Sequence, residues 1–247
     1  MILTRYIYPI FLFCLAFSLA VYATILPVPL TGQAAVENTD TTHPAALPTL
    51  NTFVSTVENG QSNLLTGVYV PGILAYPIVQ QKGSDAGYVS TQPATITQFR
   101  MASQYNSIGL LAHDFLAGSS FVNLKVGNDV ALIFGDGSIK YYQIYAVQRY
   151  QALSPTSAFS NFVDLANQTM LSAEQLFYRI YGLGQSTLVF QTCISTNKVS
   201  SWGRLFVLAH PVEPNQPSLL QAMPLIEQAL SGASRSLSPM KGLVANR

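Results

Sequence analysis

From Leu65 onward the chain is written in short runs of Val, Ile, Tyr and Phe separated by turn residues: GVYVPG, AYPIV, GYVSTQ, SIGLLAH, DVALIF and SIKYYQIYAVQRY. Each run is too short for a stable helix, and β-branched and aromatic side chains suit a pleated, half-buried surface, so these runs predict strands. Gly135-Asp136-Gly137 marks the clearest hairpin, because Asp and Gly tolerate the positive backbone angles of a tight turn. Strands resume at STLVFQTC and WGRLFVLAH. Between them, residues 158–181 place Phe159, Phe162, Val163 and Leu165, then Leu176, Phe177 and Ile180, at helical spacing, with Ser172 and Gln175 forming a capping-box pattern. Two short helices are expected there. The resulting fold class is all-β: a closed or nearly closed barrel with short helices inserted between strands.

The two ends read differently. Residues 1–30 carry one cation, Arg5, before a long apolar run that includes Cys14, and VYA at 21–23 offers small residues for cleavage. This is an export signal, or an N-terminal membrane anchor if the run persists. Residues 31–62 are Thr-, Ala- and Pro-rich without a sustained period and predict a flexible tether. The folded domain is expected over 63–212, followed by a tail over 213–247 with one short amphipathic stretch, Leu219 to Leu230, interrupted by Pro224.

Charge narrows the partners. Of the 247 residues only 9% are charged and the formal net charge is +1, so no basic face is available to neutralise phosphates and nucleic acid is excluded as a partner. GLGQST at 182–187 superficially resembles a phosphate loop, but it follows a helix, precedes a strand and lacks lysine. There is no G-x-S-x-G elbow, no H-x-x-x-H and no C-x-x-C, so a serine-hydrolase elbow and a dedicated metal site are not expected, nor is a cofactor.

The remaining chemistry lies in three residues. Cys193 is the only cysteine beyond the apolar leader, and exported cysteines generally pair or are used chemically. A buried structural cysteine is the alternative. A thiol attacks carbonyls as its thiolate, and with reference pKa values near about 8.5 for Cys and about 6.5 for His, a solvated pair is mostly neutral at pH 7. A neighbouring cation shifts that balance. His113 closes SIGLLAH, Cys193 closes LVFQTC and Arg204 opens RLFVLAH, so all three fall where strands meet loops. An imidazole there can exchange protons with a leaving amine, and a guanidinium can stabilise an oxyanion.

At these positions the chain resembles the sortases, the cysteine transpeptidases of bacterial envelopes. IGLLAH through FVNLKVGNDVALI is similar to their histidine strand and the segment after it, QTC at 191–193 to the Thr-Cys end of their signature, and GRLFVLA to their arginine strand. Val189 and Phe190 depart from the first two signature positions, and the pilus-type lid and C-terminal membrane span are missing. The resemblance, over roughly 64–212, implies a nucleophile at Cys193, a general acid and base at His113 and a stabiliser at Arg204. It implies cleavage of an LPxTG-like sorting signal in secreted proteins and transfer to an amine acceptor such as a cell-wall precursor, on a membrane-tethered enzyme of the envelope. Thr192 and Trp202 are candidate substrate-binding residues. Asp114 is expected on the opposite face from His113 by strand alternation, and His210 at the far end of its strand. A catalytically silent barrel that binds envelope peptides, and a cysteine hydrolase with the same residues, are the competing functions.

Overall fold

The computed structural model describes residues 47–213 apart from 84, 86 and 158. The elements are α1 (Leu50–Val57), β1 (Leu65–Val70), β2 (Leu74–Gln80), β3 (Ile96–Phe99), β4 (Ser107–Leu111), β5 (Asp129–Phe134), β6 (Ile139–Ala152), β7 (Phe162–Asp164), β8 (Met170–Leu171), α2 (Ala173–Tyr181), β9 (Thr187–Ile194) and β10 (Gly203–Val212). Short 3-10 helices cover Arg100–Tyr105 and Ala117–Asn123. The strands follow the order β10-β9-β4-β3-β2-β1-β5-β6-β7-β8, and a further β10–β6 pairing closes the first eight into a barrel. The expected fold class is what forms.

Alternation along the closing strands separates two apolar layers. Leu188 and Phe190 of β9, with Leu205, Val207 and Ala209 of β10 and Leu110 of β4, point into the barrel with Val68, Val130 and Leu132. Val189 of β9, Phe206 and Leu208 of β10 and Leu111 of β4 face outward, and are covered by Phe162, Leu171, Leu176, Phe177 and Tyr181 of the β7–α2 segment. That segment therefore completes a second core on the outside of the barrel wall. Tyr181 is fixed there by donating its hydroxyl to Gln191 Oε1 at 2.7 Å, and complete burial holds its phenol far above the ordinary range.

Two expectations are corrected. Residues 158–181 contain one helix, not two: β7 and β8 form a hairpin through Phe162↔Leu171 and Val163↔Met170, and only α2 is helical, with the expected Ser172–Gln175 capping box. The Phe162–Leu165 spacing also fits a strand whose Phe162 enters the outer core, and tertiary packing decides between the two. The expected tether is not unstructured throughout, because Leu50–Val57 is helical, capped by Thr49, with Phe53 buried beside Ala131 and Ile133 of β5. The hairpin at Asp136-Gly137 forms as expected, with Gly137 at φ 80°. The export signal, the tether up to residue 46 and residues 214–247 of the C-terminal tail lie outside the described residues.

Candidate active site

β9 is the central strand of the site, parallel to β4 on one side and antiparallel to β10 on the other. Arg204 of β10 is the direct register partner of Cys193. Directly opposed residues project to the same face with Cβ atoms about 4.5–5.5 Å apart. On the other side Leu111 pairs with Gln191, and Ala112 N donates to Gln191 O at 3.2 Å beyond the formal end of β4. His113 follows two residues after the end of β4, where its carbonyl accepts from the amides of Leu116 at 3.0 Å and Gly118 at 2.9 Å. Cys193 and Arg204 thus form one row across β9 and β10, on the outward face that bears Val189 and Phe206, and His113 lies just past the end of β4, the other neighbour of β9.

The row is partly roofed. Cys193 is 9% exposed and belongs to neither of the two large apolar layers. Its sulfur is disulfide-bonded in this structure. Arg204 is only 1% exposed, so it does not sit at an open loop mouth. Its Nη1 donates to the carbonyls of Ser201 at 3.0 Å and Gly203 at 2.8 Å, and its guanidinium lies 5.8 Å from the Phe162 ring centroid. Burial pushes its pKa down to about 10, partly offset by Asp114, so it remains charged at neutral pH.

His113 is half-buried, and its ring lies 5.0 Å from that of the exposed Phe115. Desolvation lowers its pKa, opposed by the Asp114 charge and by a hydrogen bond to the Val89 backbone. A basic group with a lowered folded pKa contributes stability above its unfolded value, and loses it as pH falls through the folded one. Urea midpoints are therefore expected to drop as pH is lowered from about 6.5. The drop should shrink in His113→Gln, and an equal drop in both proteins would remove His113 as its source.

The other sequence candidates separate. Thr192 lies one residue from Cys193 and so faces the opposite side, where it is buried and its Oγ1 donates to Ala112 O at 2.8 Å. It staples β9 to the end of β4. Trp202 is half-buried and its carbonyl accepts from Ala152 N at 2.9 Å, at the β6–β10 closure. The next residue must be small there, since a Cβ on Gly203 would lie 2.5 Å from Tyr150 O. His210 is exposed against Tyr145, away from the row.

Sequence reasoning missed Ser195 and Gly118, and set Asp114 apart from His113. Alternation put Asp114 on the wrong side because β4 ends at Leu111, and the chain turns before residue 114. Its Oδ2 accepts from Ser195 Oγ at 2.5 Å, and its charge acts on both His113 and Arg204. No local pattern marks Ser195. Gly118 was visible only as a small residue after His113; its amide donates to His113 O at 2.9 Å.

No protein-family model matches the sequence, and no curated protein matches it. Solved structures give matches. Sortase C1 from Streptococcus agalactiae aligns at 16% identity over 61% of this chain and 68% of that one, with a TM-score of 0.40. Sortase A from Corynebacterium diphtheriae aligns at 14% identity over 64% of this chain and 66% of its own, with a TM-score of 0.41. Sortase A from Listeria monocytogenes aligns at 9% identity over 61% and 88%, with a TM-score of 0.38. These solved structures to which the chain is similar are all sortases.

Proposed function

We propose that the chain is a sortase-like cysteine transpeptidase of the cell envelope, acting from the reduced form of Cys193. The observation that supports this most is the cross-strand pair: a sulfur with a buried guanidinium as its register partner, on the strand that also borders β4, after whose end His113 follows. A permanent cation beside the sulfur favours thiolate, and an imidazole on the other flank can carry the proton. Thiol and imidazole start from different strands, so the pairing depends on the barrel being closed.

In the proposed reaction, Cys193 Sγ attacks the carbonyl carbon of the Thr-Gly bond in an LPxTG-like signal. Arg204 offsets the charge that gathers on the oxygen. The C–N bond breaks as His113 gives its proton to the departing amine, leaving a thioester. An incoming amine then attacks the thioester, His113 accepts its proton, and the sulfur leaves as thiolate. Water in place of the amine gives hydrolysis. Trp202 is proposed to wall the substrate groove, and Thr192 to act from behind the strand by holding Ala112 in place.

The test is cleavage of a fluorogenic LPxTG-type peptide panel by the reduced full chain. Cys193→Ala is expected to abolish turnover, a loss of the order of 10⁴-fold or more for a nucleophile, with an unchanged melting profile. Equal turnover by the variant would remove Cys193 from the chemistry. Adding an amine acceptor should divert product from the free acid to the amide; acid as the sole product in its presence would make the enzyme a hydrolase.

A further inference from the structure

Ser201 is buried and has φ 58°, a left-handed conformation that non-glycine residues adopt only at a cost. It sits in the connection between β9 and β10, three residues before Arg204, and its carbonyl accepts from the Arg204 guanidinium at 3.0 Å. Its amide donates to Ser195 Oγ at 3.1 Å, and the same Ser195 hydroxyl donates to Asp114 at 2.5 Å. The path is continuous: His113, Asp114, Ser195, Ser201, Arg204. It joins the turn after β4 to the β9–β10 connection, and its ends are His113 and Arg204, the register partner of Cys193.

We infer that Asp114, gripped by Ser195, is a positioning residue that locks the β9–β10 connection onto the His113 turn and thereby fixes His113 and Arg204 on either side of Cys193. The inference rests on the transfer reaction proposed above for its catalytic meaning, but its geometry stands without it. Strained backbone persists only where the surroundings over-determine it, and here both hydrogen-bonding groups of Ser201 are committed to the path. The charge of the anchoring carboxylate also acts on both His113 and Arg204. The groups that face His113 are Asp114 from its own turn, the Val89 carbonyl from the β2–β3 connection and the Phe115 ring.

Three variants of the reduced full chain test this. Ser195→Ala is expected to lower kcat on the peptide panel about tenfold, below the ~10²-fold that a 1 Å misplacement can cost, with KM within about twofold. Ser195→Thr keeps the hydroxyl and should restore kcat to within about threefold of the parent. Asp114→Asn keeps an oxygen for Ser195 but removes the charge, so the His113 imidazole should titrate at a lower pH than in the parent, read by NMR. Hydrogen exchange at the Ser201 amide should speed up in Ser195→Ala and not in Ser195→Thr. If Ala and Thr behave alike in exchange and kcat, or Asp114→Asn leaves the His113 titration unmoved, the clamp is wrong. A parent chain that cleaves no peptide would sink the transferase reading alone, since titration and exchange decide the clamp without turnover.

Discussion

Replacing Arg204 with lysine should cost about 10²–10³-fold in kcat/KM, although the positive charge is nominally retained. One guanidinium nitrogen reaches the carbonyls of Ser201 and Gly203 together, in a pocket that leaves the side chain 1% exposed. A planar guanidinium is weakly hydrated and survives that burial charged, at a pKa of about 10. A lysine ammonium is a compact, strongly hydrated charge whose pKa falls readily on burial. It would have to lose its proton, or leave the pocket and abandon the two carbonyls. Either outcome takes the fixed cation from beside the sulfur. Leaving buried acceptors unmatched adds about 1–3 kcal/mol of destabilisation, readable as a lower urea midpoint. Lysine activity within about threefold of the parent would mean that Arg204 supplies only diffuse charge, and that the fork contributes nothing.

Gly118→Ala is the second large effect, and it acts on His113 through the backbone. An ideal Cβ on Gly118 would stand 2.6 Å from His113 O and 2.9 Å from Ala112 O, and would run into the Thr192 hydroxyl. Two of these three obstacles are main-chain atoms, so no side-chain rotation relieves the clash. Overpacking of this kind typically costs about 1–3 kcal/mol, and occasionally more. The carbonyl that must move is the one the Gly118 amide bonds, which belongs to the proposed proton carrier. The melting temperature and kcat should therefore fall together. By contrast, Gly72→Ala meets no atom within 4 Å, and its φ of +70° limits its cost to backbone strain far from the row. An alanine at 118 with a parental melting profile and parental turnover would show that the His113 turn is not held as described.

The comparison of the two glycines shows where reading the chain by itself succeeds. Gly137 and Asp136 announce a hairpin because the requirement is local, a positive φ within a tight turn. The capping box at Ser172 and the strands at 65–70, 129–134 and 187–194 are legible for the same reason: periodicity and cap chemistry act over a few residues. Gly118 carries no such signature, since its constraint comes from Thr192, 74 positions away in sequence but adjacent across the β4–β9 junction.

The residue types of the candidate site, and their location at strand ends, were determined by the sequence: His113, Cys193 and Arg204 each adjoin a run that could only be a strand. The pairing of Cys193 with Arg204, and of β9 with the strand that ends before His113, was decided by the tertiary structure, because register between β4, β9 and β10 depends on which faces the barrel interior and the β7–α2 segment bury. The same packing turned an expected helix into the β7–β8 hairpin and buried Arg204 where an open loop mouth was expected. It also brought Asp114 and Ser195 together across 81 positions. Local chemistry chooses the groups; only the closing of a barrel, which satisfies every interior strand edge at once, chooses their neighbours.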